Sequence, residues 1–164
     1  SVPSLLPLIL PVGAIAGFLM YNLGIFGSQR TVFLGDNGSN ALGFMCAWIL
    51  VYFSSVDASN FAPITALWFV AIPFIDALGV MFSRAIRGIM PLRPGRDHLH
   101  HKLLDYGLSS NKIYSILILL SGVFALIGIS FNNAFPDSHY YSFYAFLILW
   151  VCYYFITSYI KKNV

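Results

Sequence analysis

The sequence has 164 residues, of which 59% are hydrophobic and only 9% are charged. A soluble domain carries about 25% charged residues, so this composition excludes a water-soluble globule with an ordinary surface. The net charge is +3, and the two cysteines, Cys46 and Cys152, both lie in apolar runs. Two such cysteines argue against a disulfide framework or a thiolate metal site. We therefore expect an integral membrane protein.

Five apolar segments are long enough, or nearly so, to cross a hydrocarbon core of roughly 30 Å, which takes about 20 helical residues. In chain order they are residues 3–26, 40–56, 61–82, 113–131 and 140–160. Pro11 is expected to kink or interrupt the first of these helices. The segments lack the alternation of a barrel strand, so helices are the remaining way to satisfy their backbone in lipid. The sequence thus predicts an all-α, polytopic membrane protein with about five transmembrane helices, forming a single domain over residues 1–164.

The basic residues predict the orientation of the chain. All nine Lys and Arg residues lie in the connecting regions 27–39 and 83–112 or at the C-terminus, and the turns 57–60 and 132–139 contain none. Five spans place the three basic regions on one membrane face, which the positive-inside rule makes cytoplasmic. The N-terminus is then predicted outside, with the C-terminus and the loops 27–39 and 83–112 in the cytoplasm.

The first cytoplasmic loop runs into the segment Gly-Asp-Asn-Gly-Ser at residues 35–39. Gly35 and Gly38 let the backbone approach a ligand or take a positive φ. Asp36 is a hard oxygen donor of the kind that Mg²⁺ prefers. Ser39 or Asn40 is expected to cap the following helix, whose N-terminus is itself an anion site. The alternative is that the segment is only a turn and a helix cap.

The second cytoplasmic loop is basic and contains a cluster of histidines: Arg93, Arg96, His98, His100 and His101. Arginine forks bind phosphate through two bonds, and histidine adds a donor or proton carrier near neutral pH. Three alternatives stay open. The loop could serve membrane topology or anionic lipid head groups, its histidines could form a zinc site, or it could be an ordinary solvated loop.

Asp76 is the one acidic or basic residue inside a predicted span. Carboxylates within membranes usually have a functional role or a partner. Arg84 and Arg87 lie roughly two to three helical turns farther along, too far for a contact on one helix face. We therefore expect the partner of Asp76 to come from another helix, and both structural pairing and direct participation in a site remain open.

Three motifs resemble those of one enzyme family. Residues 33–44, FLGDNGSNALGF, resemble the F-x-G-D-x-G-S-x-x-L-G-F signature of the polyprenyl-phosphate N-acetylhexosamine-1-phosphate transferases. Residues 72–76, IPFID, resemble the I-P-x-x-D span of that family. Residues 96–101, RDHLHH, resemble its histidine loop, which reads H-x-H-H in the branch that uses UDP-GlcNAc. The motifs occur in the family's order, and the resemblance runs from about residue 19 to residue 110 and more loosely beyond.

The resemblance implies transfer of GlcNAc-1-phosphate from UDP-GlcNAc to undecaprenyl phosphate, which starts the synthesis of a cell-envelope polysaccharide such as lipopolysaccharide O-antigen or enterobacterial common antigen. It implies Mg²⁺, or Mn²⁺ in its place, bound by Asp36. The implied catalytic residues are Asp36, His98, His100 and His101, and the implied substrate-binding residues are Arg93, Arg96, Gly35, Asn37, Gly38 and Ser39. The implied location is the bacterial inner membrane, with the active site on the cytoplasmic face. Membrane lipid is a further implied partner, nucleic acid is not, and a homo-oligomer stays open.

One departure from the family bears on activity. The family carries an Asp-Asp motif and an N-x-x-N-x-x-D-G-x-D-G motif upstream of this region, and neither occurs in these 164 residues. We therefore expect the chain to correspond to the C-terminal half of a longer family-type chain and to be inactive alone. Two other classes of protein remain as alternatives: a non-catalytic, basic, lipid-binding membrane scaffold, and a transporter of anionic solutes.

Overall fold

The structure is a computed structural model that describes residues 6–22, 24–27, 34–55, 62–93, 95–136 and 138–162. Within these ranges the regular elements are all helices, which confirms the predicted all-α class. In chain order they are α1 Leu6–Asn22, α2 Gly35–Ser55, α3 Pro63–Phe69, α4 Ala71–Ile86, α5 Leu99–Asp105, α6 Ser110–Ala134 and α7 Tyr140–Lys162. The chain divides into two compact units, Ser1–Pro63 and Ile64–Val164, which we describe separately.

The membrane class predicted from composition is confirmed by the long apolar helices. Helix α6 has 25 residues, and the Tyr140–Tyr159 part of α7 has 20, so each can cross a bilayer. Helices α3 and α4 together make a third candidate span, bent by 86° at their junction, and α1 is a shorter apolar helix. The count of five spans and the orientation of the chain stay predictions.

The prediction of one helix over residues 61–82 is wrong, because α3 and α4 are separate helices that meet at Val70. Pro73 explains the break, since a proline ring clashes with the carbonyl four residues earlier, here that of Phe69 at the end of α3. Helix α4 restarts with the Phe74 N–H donating to the Val70 carbonyl at 3.1 Å. The N–H that Pro73 lacks falls in the first turn of α4, where it would have no helical partner.

Pro11 does not interrupt the first helix. Helix α1 runs from Leu6 to Asn22 with Pro11 inside it. Of the two expected effects of this proline, interruption is excluded and a kink stays a prediction. Helix α2 also differs from the expectation, because it begins at Gly35 and thus takes in the motif residues predicted to lie in the loop 27–39.

The core of the second unit is built around Trp68 of α3. Its ring stacks on Phe131 of α6 with the centroids 6.0 Å apart and meets the edge of Phe146 of α7 at 5.2 Å. Its indole Nε1 donates to the Ser142 hydroxyl at 2.9 Å. Aromatic pairs of this kind contribute about 0.5–1.5 kcal/mol each beyond the area they bury. The hydrogen bond to Ser142 gives the indole N–H an acceptor, which the hydrocarbon of a bilayer does not offer.

Two glycines let the helices of this unit approach closely. A Cβ atom at Gly128 of α6 would lie 2.4 Å from the Cβ of Trp68, and one at Gly79 of α4 would lie 3.3 Å from the Tyr153 ring of α7. Small residues at helix contacts are typical of membrane proteins, where packing rather than water drives association. The close packing of α4 on α7 brings Tyr153 within reach of Asp76, one turn before Gly79.

Candidate functional site

The glycine and aspartate motif of the first unit forms the first turn of α2. Gly35 has φ of +65°, which confirms the expected positive φ at that position and explains the glycine. Asp36 and Asn37 follow in the same turn with exposed side chains. The first N–H groups of a helix have no helical acceptor, so this turn presents donors and a carboxylate together.

Ser39 does not cap α2, and neither does Asn40, because the helix begins four residues before Ser39. The hydroxyl of Ser39 donates instead to the carbonyls of Gly35 and Asp36, at 3.0 Å each. That hydrogen is engaged within the helix, and the role of Ser39 in substrate binding stays a prediction. Gly38 packs its α-carbon against Leu34, since a Cβ at Gly38 would lie 2.8 Å from the Leu34 side chain.

The donor chemistry of Asp36 fits a magnesium ion. Mg²⁺ commonly takes one or two protein carboxylates and completes its shell with water and substrate phosphate, and Asp36 is an exposed carboxylate. Among the described residues no group of three or more His, Cys, Asp and Glu side chains could hold a metal ion. The alternative of a zinc site formed by the three loop histidines is therefore not supported by the part of the chain that the structure describes.

Asp76 lies at the centre of the second unit's polar network and is 8% exposed. Its Oδ2 is 2.9 Å from Nδ1 of His98, and its Oδ1 accepts the Leu99 N–H at 3.0 Å. The Tyr153 hydroxyl of α7 donates to the same Oδ1 at 2.6 Å. These contacts confirm that the partners of Asp76 come from other elements, and they join α4, the start of α5 and α7.

The three loop histidines lie side by side along α5 and the residue before it. The His98 and His100 rings are nearly parallel with centroids 6.1 Å apart, and His100 and His101 are 4.1 Å apart. Partial burial, followed by the neighbouring His101 and His98, lowers the pKa of His100 below its ordinary 6.5, while Asp76 opposes the shift. The shift favours the neutral form of the His100 imidazole. The Nδ1 atom of His101 is buried without a hydrogen-bond partner among the described residues.

Arg84 of α4 is only 5% exposed, and its guanidinium binds several groups of the basic loop. Its guanidinium donates to Oδ2 of Asp97 at 3.0 Å from Nη2 and at 3.2 Å from Nε. It also donates to the carbonyls of Pro91, at 3.2 Å, and of Arg93. A Cβ at Gly95 would lie 2.5 Å from Nη2, so glycine at this position makes room for the guanidinium. Arg84 is thus a buried residue of α4 and does not contribute to the exposed surface of the loop.

The side chains of Arg93 and Arg96 are exposed on the loop that Arg84 holds. Arg93, Arg96 and the three histidines all belong to the described part of the second unit. Two residues of this arrangement, Tyr153 and Arg84, were not assigned these contacts from the sequence. Tyr153 lies in an apolar aromatic run that carries no signal, and no local pattern marks Arg84 as the partner of Asp97.

The comparisons with known proteins point to one class of enzyme. The model of glycosyl transferase family 4 matches residues 2–54. Over 152 residues, 93% of this chain, the sequence is 32% identical to a protein from Salmonella typhi and 33% identical to one from Escherichia coli K12. Over 141 residues, 85% of this chain, it is 38% identical to a protein from Haemophilus influenzae.

All three relatives are named undecaprenyl-phosphate alpha-N-acetylglucosaminyl 1-phosphate transferase. The predicted relationship to the polyprenyl-phosphate N-acetylhexosamine-1-phosphate transferases is therefore confirmed. The chain spans about 40% of the length of these curated relatives. No solved structure matches the chain.

Proposed function

We propose that this protein takes part in the Mg²⁺-dependent transfer of GlcNAc-1-phosphate from UDP-GlcNAc to undecaprenyl phosphate, as the first step of a cell-envelope polysaccharide. The observation that carries the proposal is the similarity, over 93% of the chain, to proteins named for this transfer. The exposed Arg93 and Arg96, with the histidines that follow them, support it, because a pyrophosphate substrate needs such donors. We further propose that the site faces the cytoplasm across the bacterial inner membrane.

The chemistry requires positioning and charge neutralisation more than covalent help. An oxygen of the lipid phosphate attacks the β-phosphorus of UDP-GlcNAc, the bond from that phosphorus to the bridging oxygen breaks, and UMP leaves. The product is undecaprenyl-pyrophosphate-GlcNAc. The attacking phosphate oxygen is already ionised near neutral pH, so the step needs no general base. Phosphoryl transfer of this kind depends mainly on alignment and on electrostatic stabilisation.

In the first unit, Asp36 is the residue that would hold Mg²⁺, which supplies charge neutralisation to the pyrophosphate when bound. The N–H groups at the start of α2 favour negative charge in the same place, since the N-terminus of a helix carries partial positive charge. Gly35, with its positive φ of +65°, and Gly38 keep this turn free of bulky side chains. Asn37 adds an exposed amide that can donate to a phosphate oxygen.

In the second unit, Arg93 and Arg96 supply guanidinium forks for the phosphates of the nucleotide sugar. His98, His100 and His101 add hydrogen-bond donors beside them. The lowered pKa of His100 favours its neutral form, which can still donate one hydrogen bond to a phosphate oxygen. The permanent positive charge of the loop surface comes from Arg93 and Arg96.

The test is a transfer assay on the purified full-length protein in detergent, with radiolabelled UDP-GlcNAc and undecaprenyl phosphate. We expect labelled lipid product, its loss on chelation of divalent metal, and recovery with Mg²⁺. Asp36→Asn should abolish most turnover, because the amide keeps the shape but loses the charge that a hard cation needs. Asp105→Asn, at an exposed carboxylate on α5, is the matched control and should retain activity. An active Asp36→Asn protein would contradict the metal role, and an inactive wild type would favour the lipid-binding scaffold.

A further inference from the structure

We propose that Asp76 is a positioning residue for the histidine loop, and that its carboxylate fixes the ring of His98 so that Nε2 is the nitrogen left for the substrate phosphate. The inference rests on the proposed function and gives a role to a carboxylate that the transfer mechanism above does not use. It concerns orientation, since Asp76 reaches the substrate only through His98.

The direction of the His98 ring follows from the hydrogen-bonding capacity of a carboxylate. An ionised carboxylate only accepts hydrogen bonds, so the 2.9 Å contact between Oδ2 of Asp76 and Nδ1 of His98 places a hydrogen on Nδ1. This holds for the neutral ring and for the imidazolium. The His98 side chain is 40% exposed, so the opposite edge of the ring remains accessible.

The contact with Asp76 would also stabilise His98 when a phosphate binds. When Nε2 donates to a phosphate oxygen, the ring holds hydrogens on both nitrogens and carries a positive charge. The carboxylate of Asp76 lies against the other nitrogen and stabilises that charge, as carboxylates do behind other functional histidines. Asp76 thus fixes the ring in the free protein and favours its charged form in the complex.

The second oxygen of Asp76 attaches the loop to two helices. Oδ1 accepts the N–H of Leu99, the first residue of α5, at 3.0 Å, and the hydroxyl of Tyr153 from α7 at 2.6 Å. The backbone contact fixes the start of α5, where His100 and His101 follow. A purely structural role for Asp76 would use only these two bonds, and the contact with His98 would then be incidental.

The substitution Asp76→Asn separates the two roles. The amide oxygen can still accept from Leu99 and Tyr153, so the attachment of the loop is kept. The amide nitrogen, however, must donate to Nδ1 of His98, which moves the hydrogen of the neutral ring to Nε2 and withdraws the negative charge. A structural role predicts little change, whereas a positioning role predicts a different tautomer and weaker catalysis.

The experiment uses the purified full-length protein in detergent, labelled with ¹⁵N-histidine. The spectra report the tautomer of His98, which is assigned by comparison with His98→Gln. Initial rates with UDP-GlcNAc give kcat and KM, and the melting temperature reports stability. We expect Asp76→Asn to move the His98 hydrogen to Nε2 and to lower kcat/KM about ten- to hundredfold, as for other residues that orient a functional histidine.

Thr65→Val is the matched control, because it removes another buried hydrogen bond of the same unit, from the Thr65 hydroxyl to Oδ1 of Asn132 at 3.1 Å. It should lower the melting temperature and leave the kcat/KM of the folded protein unchanged. In a His98→Gln background, Asp76→Asn should cause no further loss, because its effect passes through His98.

An unchanged His98 tautomer in Asp76→Asn would overturn the inference, and so would a full additional loss in the His98→Gln background. A wild-type kcat/KM in Asp76→Asn would do the same. An inactive wild-type protein would instead refute the proposed transfer, and the spectra would still decide whether Asp76 orients His98.

Discussion

Replacing Arg84 with methionine removes the guanidinium that connects the basic loop to α4. The side chain is 5% exposed and donates to Asp97 and to the carbonyls of Pro91 and Arg93. Methionine has a similar length and fills much of the same space, but it donates no hydrogen bond. The substitution therefore tests the polar contacts with little change in packing.

The magnitude follows from the burial of the two partners. Removing one member of a buried ion pair costs about 3–5 kcal/mol, because the other charge is left without compensation. The Asp97 side chain is 30% exposed, so water can hydrate it and we expect the lower end, about 3 kcal/mol. In a protein of this size each kcal/mol lowers the melting temperature by about 2–4 °C. The expected fall is therefore about 6–12 °C.

The assay is thermal unfolding in detergent, followed by circular dichroism, with transfer kinetics on the same samples. Arg87→Met is the matched control, because Arg87 is exposed and its described side-chain hydrogen bonds go to Ser83 of the adjoining α4. We expect that control to change stability by less than about 1 kcal/mol. Arg84→Lys should fall between the two, since lysine keeps the charge but not the fork. A melting temperature for Arg84→Met equal to that of Arg87→Met would refute the reasoning.

Three further predictions follow from single residues. Gly128→Ala should lower the free energy of unfolding by about 1–3 kcal/mol, because its Cβ would lie 2.4 Å from that of Trp68. Gly122→Ala is the control: its Cβ would meet nothing within 4 Å, so thermal unfolding should show an unchanged or raised stability. Folding lowers the pKa of His100, so its contribution to stability is present above pH 6.5 and lost as the pH falls below that value; His100→Gln should flatten this part of the melting-temperature profile. Arg96→Lys should lower kcat/KM about ten- to hundredfold if the guanidinium binds phosphate with two bonds, and wild-type kinetics would reduce its role to charge alone.

The sequence offers candidates for the site wherever a residue type itself carries the chemistry. Asp36, the loop arginines and the histidines stand out because charged and hydrogen-bonding side chains are rare in a chain with 9% charged residues. The positive φ of Gly35 was predictable for the same kind of local reason, since only glycine adopts it without strain. The error at Ser39 arose because a serine near a helix start fits both a cap and a position inside the first turns.

The sequence by itself determined the class of the protein. A chain with so few charges must satisfy its backbone internally in lipid, and helices of sufficient length do this with local hydrogen bonds alone. The motifs around Asp36, Asp76 and His98 determined the family relationship in the same way, because residue type and spacing are read directly from the chain.

Only the tertiary structure decided which polar groups are partners. Tyr153 lies 77 residues from Asp76 along the chain, and no local pattern predicts their 2.6 Å hydrogen bond. The buried ion pair of Arg84 with Asp97 depends on the return of the chain toward α4. Both contacts join segments that are distant in sequence, and helix packing, through small residues such as Gly79, sets which side chains meet.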